Sequence, residues 1–242
     1  MCSDNIPPFV VEQMNRLEVL VTGKMLGTLS RYLDRLLDAN RRFNLTGIRQ
    51  RDEAWQRHVI DSLTLLAFLE DVAADAKLID VGSGGGVPGI PVAVARPDLH
   101  VTLLEATGKK AAFCQQCVDE LPLPNVRVIP QRAESIGQLH GHRQAYDVAV
   151  CRAIGSMREL LEYTLPMLRV GGRLLAMKGP KAKDELEKSA DAMAILGGGD
   201  LGVYDAYPSG FEQGSVIVMI AKASATPRQY PRTPGTARRL PL

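Results

Sequence analysis

The chain has 242 residues, of which 45 % are hydrophobic and 23 % charged, and its formal net charge is +2. These proportions belong to a soluble globular protein and exclude a disordered, collagen-like or coiled-coil chain. The longest apolar runs, such as Val216 to Ala221, fall far short of the roughly 18 residues a membrane helix needs, and the start MCSDNIPPF lacks the basic and apolar stretches of a secretory signal; a cytoplasmic protein with no membrane association is expected.

Residues 1–70 read as a helical extension. Leu26, Leu29, Leu33, Leu36 and Leu37 recur at helical spacing, and Trp55, Val59, Leu63 and Leu66 repeat the pattern after a break at FNLTG, residues 43–47. From Lys77 the pattern changes to short β-branched or apolar runs at 77–81, 100–105, 126–129, 147–151 and 173–177. Their starts lie 23, 26, 21 and 26 residues apart, which leaves room for a helix and two turns in each gap. That is the rhythm of a parallel sheet with crossover helices, and the lack of clean alternation fits strands covered on both faces. Ser156 and Glu159 read as a capping box, and Pro180 as a first-turn proline.

A helix rich in Lys and Glu, over about 181–196, leads to GGGD at 197–200 and then to two strand-like runs, 201–207 and 215–221. Their short connection PSGFEQG suits an antiparallel pair. The expected fold is therefore α/β: a mostly parallel seven-stranded sheet over 71–225 with a C-terminal antiparallel hairpin, preceded by the helical extension and followed by a basic segment, 226–242. That last segment has four prolines, four arginines and no acid, and Arg31 to His58 carries a local excess of +3. Such arginines suit phosphates, although charge runs are most often solvated faces.

Four cysteines in a long chain do not form a disulfide framework. Cys114 and Cys117 make a CxxC, but no second ligand pair accompanies it, and it falls mid-helix on the apolar seam Ala111, Cys114, Val118, Leu121. Core packing is the expectation, and no metal site is expected.

The run KLIDV leads straight into GSGGGVPGIP, with Gly82, Gly84 and Gly86 alternating after the strand. Glycine there permits positive φ and lets a ligand approach bare backbone, and a helix from about Val87 would point its N-terminal amides at the same place. This reads as a nucleotide-binding turn in the first βα unit of a Rossmann-like sheet. Gly84, Gly86 and Gly89 can be written as a GxGxxG, so an NAD-dependent oxidoreductase stays open; from Gly82, however, the sixth position is Val87. The pattern that opens at the strand end, Asp80-Val-Gly82-Ser-Gly84-Gly-Gly86, resembles motif I of class I S-adenosylmethionine methyltransferases. Glu105 ends the second run, 23 residues after Gly82, where an acid can accept from both ribose hydroxyls.

More of the chain carries a resemblance. FNLTG (43–47), RHVIDSL (57–63), IDVGSGGGVPGIPVA (79–93), LLEATGKKAAF (103–113), RAE (132–134), CRAIGS (151–156), AMKG (176–179) and PRTPGT…PL (231–242) occur in order. Together they resemble the bacterial ribosomal RNA small subunit methyltransferase G family, also called glucose-inhibited division protein B, from about residue 40 onward. The resemblance implies a Rossmann-like class I methyltransferase with S-adenosylmethionine as donor, N7 of one guanine in 16S rRNA as acceptor, the small ribosomal subunit as partner and a monomeric state; a methyltransferase on another substrate is the alternative. Guanine N7 is an unprotonated nitrogen with an in-plane lone pair, so no general base is expected. Catalysis would be alignment near Arg152 and Lys178, with electrostatic control as charge moves onto the purine. A nucleophilic Cys151 is disfavoured because Val150, not Pro, precedes it.

The roles implied are these. Asp80, Gly82, Gly84, Gly86 and Val87 order the donor loop and its walls, Glu105 takes the ribose, Ala133 and Glu134 edge the adenine, and Arg152 faces the transfer site. Arg132, Lys178, His58 and Arg232 are the expected RNA or guanine contacts. His58 and Asp61, three apart on one helix face, are either a structural pair or a substrate-positioning one. One departure stands out: relatives often carry an Arg just before the final strand, where this chain has Gln213-Gly214-Ser215.

Overall fold

A computed structural model describes residues 6–208 and 214–242. Five parallel strands, β1 (Lys77–Val81), β2 (His100–Leu104), β3 (Val126–Ile129), β4 (Tyr146–Arg152) and β5 (Leu168–Lys178), are joined by the hairpin β6 (Gly198–Asp205) and β7 (Val216–Lys222), in which β7 runs antiparallel to both β5 and β6. The order across the sheet is β3-β2-β1-β4-β5-β7-β6. β1 and β4 are neighbours, with Asp80 opposite Val150, so the order reverses between them. The crevice beyond their C-terminal ends is the switch point where open α/β sheets bind ligands.

The helices are α1 (Pro8–Arg16), α2 (Gly23–Arg42), α3 (Arg51–Ala54), α4 (Asp61–Leu63), α5 (Gly89–Ala95), α6 (Gly108–Glu120), α7 (Ala133–Ile136), α8 (Met157–Thr164), α9 (Ala182–Glu187), α10 (Ala190–Leu196) and α11 (Thr236–Arg239). Thr22 caps α2, its hydroxyl accepting from the Met25 amide at 3.2 Å. Between α3 and α4 the backbone widens into a π-helix, Trp55–Ile60.

Pleating sorts the strand residues between two cores. Leu78, Val148, Val150 and Leu175 pack with Leu29, Tyr32, Leu33, Leu36, Trp55 and Leu63 of the N-terminal helices. Ile79, Ala149, Cys151 and Leu174 pack on the other face with Leu160, Leu161, Leu165 and Leu196. This two-sided burial is why the strand runs lack alternation. Cys114 and Cys117 lie in the first core, and burial raises both thiols, Cys117 to about 12.

Several local expectations are corrected. α5 starts at Gly89, not Val87, because turns continue through the glycine loop and the Gly89 amide is taken by Asp80. The 181–196 helix is two helices, broken where the Ser189 hydroxyl bonds back to the Glu185 carbonyl at 2.5 Å. Pro180 lies in the turn before α9, with Lys181 as the cap residue. β6 starts at Gly198, earlier than 201: Gly197 ends α10 at φ 83°, and Gly198 already pairs with Lys222 on β7. β5 starts at Leu168, earlier than 173, and carries Gly171 and Gly172 inside it. Ser156 does accept from the Glu159 amide, at 3.4 Å. Most of the PSGFEQG connection, and Gln213 with it, falls outside the described residues.

The basic C-terminal segment is folded back on the second core. Arg143 donates to the Tyr230 and Thr226 carbonyls at 2.6 and 2.7 Å, and Gln138 to the Pro231 carbonyl at 2.7 Å. Arg232 is ion-paired with Glu162, a carboxylate at 0 % exposure. No helix among the described residues is long and apolar enough to cross a membrane.

Candidate active site

The site is built on the turn after β1. Gly82, Gly84 and Gly86 all have positive φ, at 70°, 58° and 87°. A side chain on Gly84 would be strained by that φ, yet it would meet no atom nearer than 3.9 Å. The loop thus presents bare backbone to open space, which is what a ligand lying on it needs. Gly82 is different: a Cβ there would come within 2.7 Å of Ile154 Cδ1. Ile154 belongs to the segment after β4, where Ala153 also has positive φ, 55°.

Two carboxylates and a phenol hold the loop, and a third carboxylate ties down the wall beside it. Glu105 is 7 % exposed; one oxygen accepts from the Gly84 amide at 2.8 Å and the other from the Thr107 amide at 2.7 Å. Asp80 is fully buried beneath the turn, with Oδ2 accepting from the Gly89 amide at 2.9 Å. Its Oδ1 has no partner among the described residues, and burial pushes its pKa up to about 7. Glu134, at the start of α7, accepts from the Gly235 amide at 2.8 Å. From α2, the Tyr32 hydroxyl donates to the Gly85 carbonyl at 2.7 Å.

Three hollows meet here. One of about 210 Å³ is lined by Gly82, Gly84, Val87, His58 and Arg152, together with Thr46 and Lys110. A second, about 150 Å³, is lined by Gly82, Glu105, Arg132, Ala133 and Glu134, with Tyr163. They share Gly82, and Ile154 stands over the saddle between them. A third, about 430 Å³, opens at the ends of β4 and β5 between Arg57, Asp61, Arg152, Lys178 and Ser215. The structure thus gathers most of the nominated residues into one crevice. Gly86 is turned toward Ile90 and Asp80 lies beneath the floor, while Arg232 is engaged with Glu162.

His58 and Asp61 are not bonded to each other. The Thr46 hydroxyl and His58 Nε2 lie 3.1 Å apart, and burial with the Arg152 charge lowers the imidazole to about 4, so it is neutral near pH 7. Asp61 accepts from the Tyr207 hydroxyl and lies 3.9 Å from both Arg57 and Arg152. Burial raises its pKa against these partners. Arg57 and His58 lie on the π-helical turn and Asp61 directly follows it, and all three line the site, where such turns are often found. Lys178 donates to the Gly155 carbonyl at 3.2 Å and pairs with Glu185 at 2.8 Å, so it props the 152–155 segment. Arg57, Thr46, Ile154 and Tyr163 were not singled out from sequence. Thr46 and Arg57 do sit inside the family-like stretches, whereas nothing local marks Tyr163.

Comparison with known proteins agrees with this architecture. Residues 25–206 match the GidB family, described as rRNA small subunit methyltransferase G. The chain is 41 % identical over 224 residues to the ribosomal RNA small subunit methyltransferase G of Moorella thermoacetica, covering 93 % of each. It is 40 % identical over 238 residues to the Chloroflexus aggregans protein of the same name, covering 98 % of this chain and 99 % of that one. Among solved structures, a predicted O-methyltransferase from Agrobacterium tumefaciens superposes with TM-score 0.55 at 21 % identity, over 67 % of this chain and 81 % of that one. A putative S-adenosylmethionine-dependent methyltransferase from Methanococcus maripaludis gives 0.54 at 12 % identity, over 72 % and 90 %. These two share the Rossmann-like class I methyltransferase fold. On the sequence matches, which span nearly its whole length, the chain belongs to the rRNA small subunit methyltransferase G family.

Proposed function

We propose that this protein transfers a methyl group from S-adenosylmethionine to N7 of a guanine in 16S rRNA, acting as a monomer on the small ribosomal subunit in the cytoplasm, with residues 71–225 as the catalytic unit. The observation that carries the reading is the joined crevice: a half walled by Glu105, Ala133 and Glu134 and a loop-backbone half meet at Gly82 and border a cation-lined pocket at the ends of β4 and β5.

The residues fit the donor. Gly84 leaves open backbone, Glu105 is fixed at the strand end by the Gly84 and Thr107 amides with one lone pair left on each oxygen, and Ala133, Glu134 and Tyr163 wall the adenine side. When bound, S-adenosylmethionine supplies a sulfonium-activated methyl group: the N7 lone pair forms the new bond to carbon, the carbon–sulfur bond breaks, and its electron pair stays on sulfur. The protein's own work is alignment and charge placement. Arg152 stands between the donor loop and the acceptor pocket, and its guanidinium is oriented by the Arg57 carbonyl and the Asp61 carboxylate. The neutral His58 adds no charge to the transfer region. Arg57 and Arg132 sit on the surface of the crevice, where cations meet phosphates.

The test is transfer of a tritiated methyl group onto small subunits from a strain lacking this enzyme, followed by nucleoside analysis. 7-Methylguanosine in the small-subunit RNA is expected. Another methylated nucleoside, or label in protein alone, rejects the proposal.

A further inference from the structure

We infer that the pocket at the ends of β4 and β5 receives the target purine, and that Asp61 selects guanine there by accepting a hydrogen bond from its Watson–Crick edge. The inference rests on the guanine-N7 reading above and deepens it.

The pocket, about 430 Å³, is large enough for a base turned out of its stack. It touches the donor crevice through Arg152 and Ala153, which line both. Three of its charged side chains, Arg57, Arg152 and Lys178, suit a phosphate-bearing ligand. The fourth does not: Asp61 is a carboxylate, 6 % exposed, in a place where RNA brings negative charge. Burial counts against a carboxylate here; the Tyr207 hydroxyl and the two arginine charges offset it, and a ligand donor would add to them.

Its geometry leaves room for such a donor. Oδ1 is taken by the Tyr207 hydroxyl. Oδ2 lies 3.9 Å from a guanidinium nitrogen of Arg57 and of Arg152, an ion-pair separation beyond hydrogen-bond length. Those cations hold the carboxylate in place and oppose the burial that raises its pKa, while its second oxygen keeps acceptor capacity. Guanine is the purine with adjacent N–H donors, N1–H and the exocyclic amine, on its Watson–Crick edge; adenine presents a bare ring nitrogen there, which a carboxylate repels. A guanine held by that edge leaves N7 unobstructed, because N7 lies on the opposite, major-groove edge.

The experiment compares small subunits reconstituted with guanosine or inosine at the modified position; inosine lacks the exocyclic amine and keeps N7. With the wild-type enzyme, inosine is expected to lower the methylation kcat/KM about tenfold, the cost of one charge-assisted hydrogen bond. With Asp61→Asn, guanosine is methylated more slowly and the inosine penalty shrinks to threefold or less. Tyr207→Phe, which removes the other hydrogen bond of the same carboxylate, keeps the full penalty; a purely structural Asp61 would make these two variants behave alike. S-Adenosylhomocysteine affinity and thermal midpoint, measured on each variant, report folding separately. An inosine penalty equal in wild type and Asp61→Asn, or absent in wild type, overturns the inference. If the wild-type enzyme leaves guanosine-bearing subunits unmethylated, it is the broader function that fails.

Discussion

Asp80 shows what one buried group does to the behaviour of the whole chain. Its carboxyl is raised from 3.8 to about 7, chiefly by burial and in spite of the Gly89 amide and the Ser83 hydroxyl. The folded protein therefore binds this proton more tightly than the unfolded chain does. Between about pH 4 and 7 stability falls as pH rises, because folding must take up a proton that the unfolded chain has lost and that grows scarcer. His58, lowered to about 4, works the other way: its contribution is lost as pH falls from 6.5 toward 4. Comparing wild type with Asp80→Asn cancels the histidine. The urea midpoint of wild type relative to that variant is expected to rise as pH drops from 8 to 5; parallel profiles would show that Asp80 ionises normally. At this scale the sequence was informative. Asp80, the glycines and Glu105 lie within one βαβ unit, and local spacing alone marks them. Asp61 was ambiguous because its partner Tyr207 is 146 residues away, and no local pattern encodes such a meeting.

Among the elements, α2 is tied to the donor loop by the Tyr32–Gly85 hydrogen bond. Its leucines read as an amphipathic helix from sequence, and its buried face packs against the sheet as that pattern requires. The hydroxyl that reaches across 53 residues to a loop carbonyl was not legible, because tyrosine on an apolar face looks like core. Tyr32→Phe leaves that buried carbonyl unsatisfied. Stability should fall by about 1 kcal/mol, and S-adenosylhomocysteine affinity should weaken several-fold by calorimetry because Gly84 and Gly85 lose a fixed neighbour. Unchanged affinity would show that Glu105 and Asp80 set the loop without the phenol. Helix type was a second blind spot. Residues 55–60 carry an ordinary helical pattern, and a π-turn there is decided by the fit between the N-terminal helices and the sheet rather than by propensity.

For the molecule as a whole, the strand rhythm and the closing hairpin were legible because each strand is a contiguous apolar run. The path of the last 17 residues, 226–242, was not. Prolines and arginines without acids look like a free basic arm, yet Arg232 is spent on Glu162, with hydrogen bonds of 2.5 to 3.1 Å. Breaking that pair strands a buried carboxylate. Arg232→Ala is expected to cost about 2–4 kcal/mol, and pairing it with Glu162→Gln should recover much of the loss in a double-mutant cycle. Equal destabilisation by the single and double variants would show that the arginine acts by packing alone. Deleting residues 228–242 therefore perturbs folding and surface charge together, and only point changes at Arg228, Arg238 and Arg239 probe RNA affinity by itself.

The bond from Gly235 to Glu134 also has a bearing on biosynthesis, since its two ends are 101 residues apart in the chain. A ribosome adding about 5–20 residues per second delivers the second end roughly 5–20 s after the first. Until then the emerging polypeptide has the wall that Glu134 forms unfastened, and on the function proposed above its hold on the methyl source is complete only when translation of this stretch is done.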